Sequence, residues 1–258
     1  GSTEVTLEER NELSGGACLL PKIHILATGG TIGFGGQNRL DGVRYSELGG
    51  PIYINDLIAR VPELAEIAQI SAEQIFVEGF EGQSIGPGEW LTWARRCNDL
   101  FNSEDPPDGI VVTHGTYVME ETAYFLNLTV KSDRPVVLTG AQRPSTTISS
   151  DADLNLFNAV LTAGSLDSRD KGVLVVLNHQ INAAREVTKS NTYRMETFQS
   201  RDLGFLGYVD SDGQVMYYRS VVRRHTQNSE FDVAALNEFP WVDIVMNYAG
   251  ADGRLVDA

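Results

Sequence analysis

The stretch Ile23-His24-Ile25-Leu26-Ala27-Thr28-Gly29-Gly30-Thr31-Ile32-Gly33 decides how this chain is organised. Its first five residues form a short, nearly continuous apolar run, the pattern of a strand buried on both faces. The run passes directly into a polar, glycine-rich turn. The same succession recurs downstream. Helical spacing covers Ile54 to Val61, limited by Pro62, and a strand is predicted at Ile75-Phe76-Val77. A helix follows from about Gly88 to Phe101, with Trp90, Leu91, Ala94 and Leu100 at helical spacing. Gly109-Ile110-Val111-Val112-Thr113 is another buried strand, followed by a helix from Glu120 to Val130 and a strand from Pro135 to Leu138. A further helix covers roughly Asp153 to Ala163, and Gly172 to Leu177 is a strand again. Buried strands alternating with helices specify an α/β fold, a doubly wound and mostly parallel sheet covered by helices on both faces. Ligands of such sheets bind beyond the carboxyl ends of the strands. The polar residues after each strand are therefore the ones to inspect for chemistry.

Outside this alternating block the texture differs. Residues 1–21 are polar and read as a loose arm, with Gly1-Ser2 a remnant of expression. Phe205-Leu206-Gly207-Tyr208-Val209 and Val215-Met216-Tyr217-Tyr218 flank Asp210-Ser211-Asp212-Gly213, the signature of a β-hairpin. The α/β domain thus spans 22–225. Residues 226–241 read as a linker ending in Phe239-Pro240-Trp241, and Val242-Asp243-Ile244-Val245-Met246 as one more strand that begins a further unit.

Composition narrows the function classes. A chain of 258 residues holds one large domain or one and a half ordinary ones. Thirty-five acidic against 20 basic residues give a net charge of −15, which repels a phosphate backbone and argues against nucleic acid as a partner. The only dense basic cluster, Arg219, Arg223, Arg224 and His225, is too short to reverse that. No apolar run reaches the length of a bilayer, so no membrane partner is expected. Two cysteines, Cys18 and Cys97, exclude a disulfide-rich scaffold and a cysteine-rich zinc site, and read as two free thiols or a single bridge. The four histidines lack metal-ligand spacing. Asn127-Leu128-Thr129 matches a glycosylation sequon but falls on a predicted helix and is discounted.

Three segments present hydroxyls or charges where a ligand would sit. Thr28-Gly29-Gly30-Thr31 ends the first strand, and its glycines permit a sharp turn with free amide groups. Thr113-His114-Gly115-Thr116 ends another and leads into a helix with Glu120 and Glu121 in its first turn. Arg185-Glu186-Val187-Thr188-Lys189 follows the strand ending at Leu177. A threonine hydroxyl is a weak nucleophile that needs an adjacent base, and a lysine desolvated by burial can serve. Two threonines and a lysine converging on one sheet edge would make an acyl-transfer site. Each segment alone has a plainer explanation: a tight turn, a helix cap, a solvated lysine. The glycine-rich turn also lacks the frame of a dinucleotide fingerprint and a phosphate-binding lysine.

Together the segments resemble the bacterial asparaginase and glutaminase-asparaginase family. The likeness is carried by Ile25 to Ile32, by Thr113 to Thr116 with Glu120 to Leu126, by Arg143-Pro144-Ser145-Thr146 with Leu154 to Val160, by Ala184 to Lys189 and by Asn228 to Asp232. It implies a hydrolase of side-chain amides working through a threonine ester. Thr31 matches the nucleophile, Tyr45 the tyrosine that assists it, and Thr116 and Lys189 the second threonine and its activating lysine. Gly30, Gly82, Gln83, Gly115, Tyr117 and Ala141 match substrate-binding positions. The resemblance further implies a small-molecule amide substrate, chemistry that needs no metal or cofactor, and a homo-oligomer, commonly a tetramer. It makes 242–258 the truncated start of a C-terminal α/β domain whose remainder is absent, truncated or supplied elsewhere, as by a separate C-terminal domain. The compartment stays open between periplasm and cytoplasm, with the family leaning to the periplasm.

The departures are informative. Where the family carries an aspartate that binds the substrate α-amino group, this chain has Tyr117. Where it carries a serine that meets the α-carboxylate, this chain has Gly82, and His179 replaces a usual acid. A carboxylate–ammonium hydrogen bond contributes about 1.5–3 kcal/mol, so its loss weakens a free amino acid's binding roughly 10- to 150-fold. The hydroxyl and amine chemistry is retained while recognition of a free α-amino acid is altered. Two readings follow: an amidohydrolase with a changed substrate, or an inactive homologue that uses the old site as a binding pocket. A nucleotide-binding protein ranks last.

Overall fold

The computed structural model describes residues 19–75 and 85–257. Among the described residues there are twelve strands: β1 Lys22–Ala27, β2 Phe34–Gly35, β3 Gly50–Pro51, β4 Gln69–Gln74, β5 Gly109–Thr113, β6 Val136–Thr139, β7 Val173–Leu177, β8 Gln180–Ala183, β9 Thr188–Lys189, β10 Phe198–Gln199, β11 Gly207–Val209 and β12 Val215–Tyr217. Eight of them form one sheet in the order β12-β11-β8-β7-β6-β5-β1-β4. The run from β4 to β7 is parallel, whereas β8, β11 and β12 are each antiparallel to their neighbours.

The continuous apolar runs are strands sandwiched between two helical layers, as their sequence requires. Val111, Val137, Leu174 and Ile25 face a core completed by the helix Ala152–Gly164 and the short helices Ile54–Ala59 and Leu64–Ile67. Ile110, Val112, Leu138, Val175 and Leu26 face the opposite core, covered by helices Pro87–Phe101 and Met119–Thr129. Successive residues of a strand point to opposite faces, so only a strand covered on both sides is apolar at every position.

Order in the sheet explains where the site lies. From β1 the chain moves outward to β4, then crosses back over β1 to β5 and continues the other way. That reversal opens a crevice at the carboxyl ends of β1 and β5, the topological switch point where open α/β sheets bind ligands.

Several expectations need correction. The strand predicted at Ile75-Phe76-Val77 is instead Gln69–Gln74. Ile75 follows it and donates its N–H to Ala27 O at 2.9 Å, while Phe76 and Val77 lie outside the described residues. At the sheet edge a strand need not be apolar, and Gln-Ile-Ser-Ala-Glu-Gln carries little signal. β8, Gln-Ile-Asn-Ala, was missed for a similar reason: it begins on a polar residue and buries an asparagine, Asn182, that accepts a hydrogen bond from Ser200 Oγ at 2.9 Å. The turn into β8 is made by Asn178 and His179, both at positive φ (51° and 64°).

The hairpin predicted after residue 200 is present as β11 and β12, with Gly213 at φ 77° in its turn. Asn127 of the discounted sequon is buried on its helix, where Oδ1 accepts the N–H of Val173 at 3.0 Å. The segment read as a linker is strapped to the domain. Arg95 donates to the carbonyls of Val233 and Leu236, and Phe239 meets Phe125 edge-on at 5.5 Å. The strand expected at 242–246 is not formed. Ile244 is 85% exposed and the run pairs with no sheet among the described residues, because an apolar strand needs a neighbour to satisfy its backbone. No described helix is long and apolar enough to cross a membrane.

Candidate active site at the carboxyl ends of β1 and β5

The crevice is closed by backbone packed on backbone. Thr28 donates both its N–H and its hydroxyl to Thr113 O, at 3.0 and 2.9 Å. Gly30 stands at φ 87°, and a Cβ there would lie 2.4 Å from the Cα and N of Gly115. Only glycine permits both the conformation and the approach. The loops carrying Thr31 and Thr116 are therefore in direct contact, although 85 residues separate those two threonines in the chain.

Thr31 begins a single turn of 3-10 helix, Thr31–Gly33. Its Oγ1 is 2.7 Å from the hydroxyl of Tyr45, which opens the four-residue helix Tyr45–Leu48 and packs edge-on to Phe34. Both side chains are half-buried. Ser145 Oγ donates to Ile32 O and its N–H to Phe34 O, so the 140s loop braces the segment after the first turn.

Thr116 is 7% exposed and accepts a hydrogen bond from Lys189 Nζ at 2.7 Å. Lys189 lies on β9, which pairs with β10 through Phe198. Burial pushes its amine below the usual lysine range, and the carboxylate of Glu120 opposes that fall. Desolvation favours the neutral amine, the form able to take a proton.

Behind Thr116 the histidine of the same loop anchors a directed hydrogen-bond chain. His114 is fully buried, and its Nδ1 lies 2.6 Å from Gly115 O. A carbonyl only accepts, so Nδ1 carries the proton and Nε2 accepts from Thr122 Oγ1 at 3.0 Å. Thr122 in turn accepts from Trp90 Nε1 at 2.8 Å, and Trp93 meets the imidazole edge-on. Burial lowers the histidine pKa to about 4, keeping the ring neutral.

Tyr117 is 54% exposed, with its ring on the Gly115 backbone: a Cβ on that glycine would lie 3.1 Å from the ring. The Tyr117 hydroxyl accepts the N–H of Ile85 at 3.1 Å. An uncharged aromatic surface thus adjoins the Gly30–Gly115 contact. Ala141 is buried at the end of β6, beside Gly140, whose carbonyl accepts from Asn155.

The structure therefore brings Thr31 to Tyr45, Thr116 to Lys189, and Gly30 to Gly115, with Tyr117 and Ala141 at the neighbouring strand ends. Gly82 and Gln83 lie outside the described residues, as does Cys18. His179 is not at these strand ends; it sits in the β7–β8 turn with Nδ1 on Val209 O at 3.0 Å. Cys97 is a buried free thiol pushed up to about 12. Among the described residues no three His, Cys, Asp or Glu side chains gather as a metal site. Sequence reasoning missed the linkage of Glu120 to Thr188 and Lys189, because an acid in a first helical turn reads as a partner of the helix dipole.

A family described as "Asparaginase, N-terminal" matches residues 22–223. The chain is 47% identical over 239 residues to L-asparaginase 2 of Bacillus subtilis, covering 93% of this chain and 62% of that protein. It is 46% identical over 249 residues to L-asparaginase 2 of Escherichia coli, covering 95% of this chain and 69% of that one. Its fold is similar to that of a probable cytoplasmic L-asparaginase from Campylobacter jejuni, with a TM-score of 0.83, 42% identity, and coverage of 92% of this chain and 70% of the other. The chain thus spans 62–69% of the length of the two curated relatives.

Proposed function

This chain belongs to the asparaginase family, and from that premise we propose that it hydrolyses a side-chain carboxamide to the acid and ammonia through a threonine ester. The substrate lacks a free α-amino group or carries it blocked. The observation that supports the chemistry is that each threonine hydroxyl has its own proton-handling partner at adjoining strand ends: Thr31 with Tyr45 and Thr116 with Lys189, each at 2.7 Å.

In this mechanism Thr31 Oγ bonds to the amide carbon as its proton passes toward Tyr45. Backbone N–H groups of the contacting Thr31 and Thr116 loops stabilise the negative charge that develops on the carbonyl oxygen. The C–N bond breaks, the nitrogen takes up a proton and leaves as ammonia, and an ester on Thr31 remains. Water then attacks the ester. Its proton passes to Thr116, whose own proton moves to the Lys189 amine, lowered in pKa by burial; the acyl–Oγ bond then breaks, and Thr31 Oγ takes the proton of the carboxylic acid as the carboxylate departs.

The substrate assignment rests on Tyr117. A phenol cannot replace the charge of a carboxylate, so a free α-amino group left there would have no counter-charge. An uncharged or acylated group could lie against the exposed ring instead.

A screen of ammonia release from asparagine, glutamine, N-acylated and deaminated amides tests the reading. Turnover is expected with the blocked or deaminated amides in preference to free asparagine. Absence of ammonia from every amide, under conditions where a known family enzyme works, would leave a binding pocket without catalysis. Tyr117→Asp is expected to improve turnover of free asparagine about 10- to 150-fold, the restored charged hydrogen bond. Self-association belongs to the same reading, and light scattering showing only the 28.3 kDa chain would remove it.

A further inference from the structure

The lysine that faces Thr116 comes from an element that cannot position it alone. β9 consists of Thr188 and Lys189 and, among the described residues, pairs only with the equally short β10. Two residue pairs are a weak platform for a side chain that must meet a hydroxyl 73 residues away in sequence.

A second attachment supplies what the strand lacks. One oxygen of the Glu120 carboxylate accepts the hydroxyl of Thr188 at 3.1 Å, and the other accepts the backbone N–H of Lys189. Glu120 lies four residues after Thr116, in the first turn of helix Met119–Thr129. Lys189 is therefore held at both ends by one short stretch of chain: its backbone by Glu120 and its amine by Thr116.

We propose that Glu120 is the positioning residue of the Thr116–Lys189 pair, its carboxylate anchoring the backbone from which the lysine reaches. The proposal rests on the reading of Lys189 as the amine that serves Thr116. The charge belongs to Glu120 in particular. Glu186, three residues before Lys189, is paired with Arg219. Arg185 donates to Tyr124 Oη at 3.0 Å. Glu121, the next acid on the helix, is exposed to solvent. Burial lowers the Lys189 pKa and Glu120 raises it, so removing the charge leaves the lowering unopposed.

The test is the titration of Lys189, followed by its 13Cε resonance in lysine-labelled protein and assigned with Lys189→Arg, in the wild type, Glu120→Gln and Glu120→Asp. The Glu120→Gln midpoint is expected to fall by about one unit, the lower end of the effect of an adjacent opposite charge. Glu120→Asp keeps the charge and is expected to titrate close to the wild type. In ammonia release, Glu120→Gln is expected to lower kcat about 10-fold with KM little changed, since misplacing a proton acceptor costs rate rather than binding. Its acidic limb should shift to lower pH by the same amount as the resonance, and Glu120→Asp should recover part of kcat. An unchanged Lys189 midpoint in Glu120→Gln overturns the proposal, whatever the activity. Ammonia release unaffected by Lys189→Met overturns the reading beneath it, and the resonance still decides whether Glu120 governs the lysine.

Discussion

The two halves of the site are built in opposite ways. Thr31 and Tyr45 lie 14 residues apart, and the tyrosine stands on a four-residue helix, half-exposed and packed edge-on to Phe34. Thr116 and Lys189 lie 73 residues apart, and every group around them is tied down: the lysine by Glu120, and the threonine's loop by the chain from His114 through Thr122 to Trp90. The Thr31–Tyr45 side is local and lightly held, whereas the Thr116–Lys189 side is long-range and buried at its threonine. A group that only has to meet an arriving substrate can sit on a short surface helix. An amine whose pKa is lowered by burial has to be held away from water, which takes tertiary packing.

The largest effect that would break this comparison is loss of the proposed nucleophile. Thr31→Ala is expected to reduce ammonia release by at least about 10⁴-fold, the scale on which removal of a covalent nucleophile is felt. Lys189→Met should follow with a loss of about 10²–10⁴-fold, the range of a general base. It should also abolish the acidic limb of the pH–rate profile. The sign is set by the amine, which works when neutral, so wild-type activity should rise as pH rises through the lowered lysine pKa. If Lys189→Met keeps the limb, another group titrates there.

The buried half should also govern acid stability. His114 titrates at about 4 in the folded chain against an ordinary 6.5, so the unfolded chain binds more protons between those values. Stability present above pH 6.5 should therefore be lost as pH falls toward 4, by about 3 kcal/mol in all. Denaturant titrations of His114→Gln over this interval should show most of that slope gone.

Thr122→Val removes the hydroxyl that serves both His114 and Trp90 and should cost about 1–3 kcal/mol, measured by denaturation at pH 7. Tyr45→Phe, on the lightly held half, should change stability by less than about 0.5 kcal/mol while slowing turnover about 10- to 100-fold. A Tyr45→Phe variant as unstable as Thr122→Val would erase the distinction between the halves.

The parts legible in the sequence were those with a one-dimensional signature. β1, β5, β6 and β7 announced themselves because both their faces are buried, and the rule that ligands gather beyond strand ends picked out Thr31 and Thr116. β4 and β8 escaped because an edge position and a buried asparagine remove the apolar run. Glu120 stood in plain view as a first-turn acid, but its bonds to Thr188 and Lys189 cross 68 and 69 residues of chain. Nothing in the periodicity of a segment encodes a partner so distant. The run Val242 to Met246 read as a strand for the converse reason: its composition suits a sheet, and no described strand pairs with it.

By itself, then, the sequence determined the layers, the doubly wound class, the glycines at the first turn and the hydroxyls and amine available for chemistry. These follow from local pattern, since side-chain period and backbone freedom are properties of consecutive residues. Only the tertiary structure decided that Gly30 presses on Gly115, that Lys189 is desolvated against Thr116, and that Glu120 grips its backbone. Those are properties of distances through space, and they arise only when the crossover from β4 to β5 brings two strand ends to one crevice.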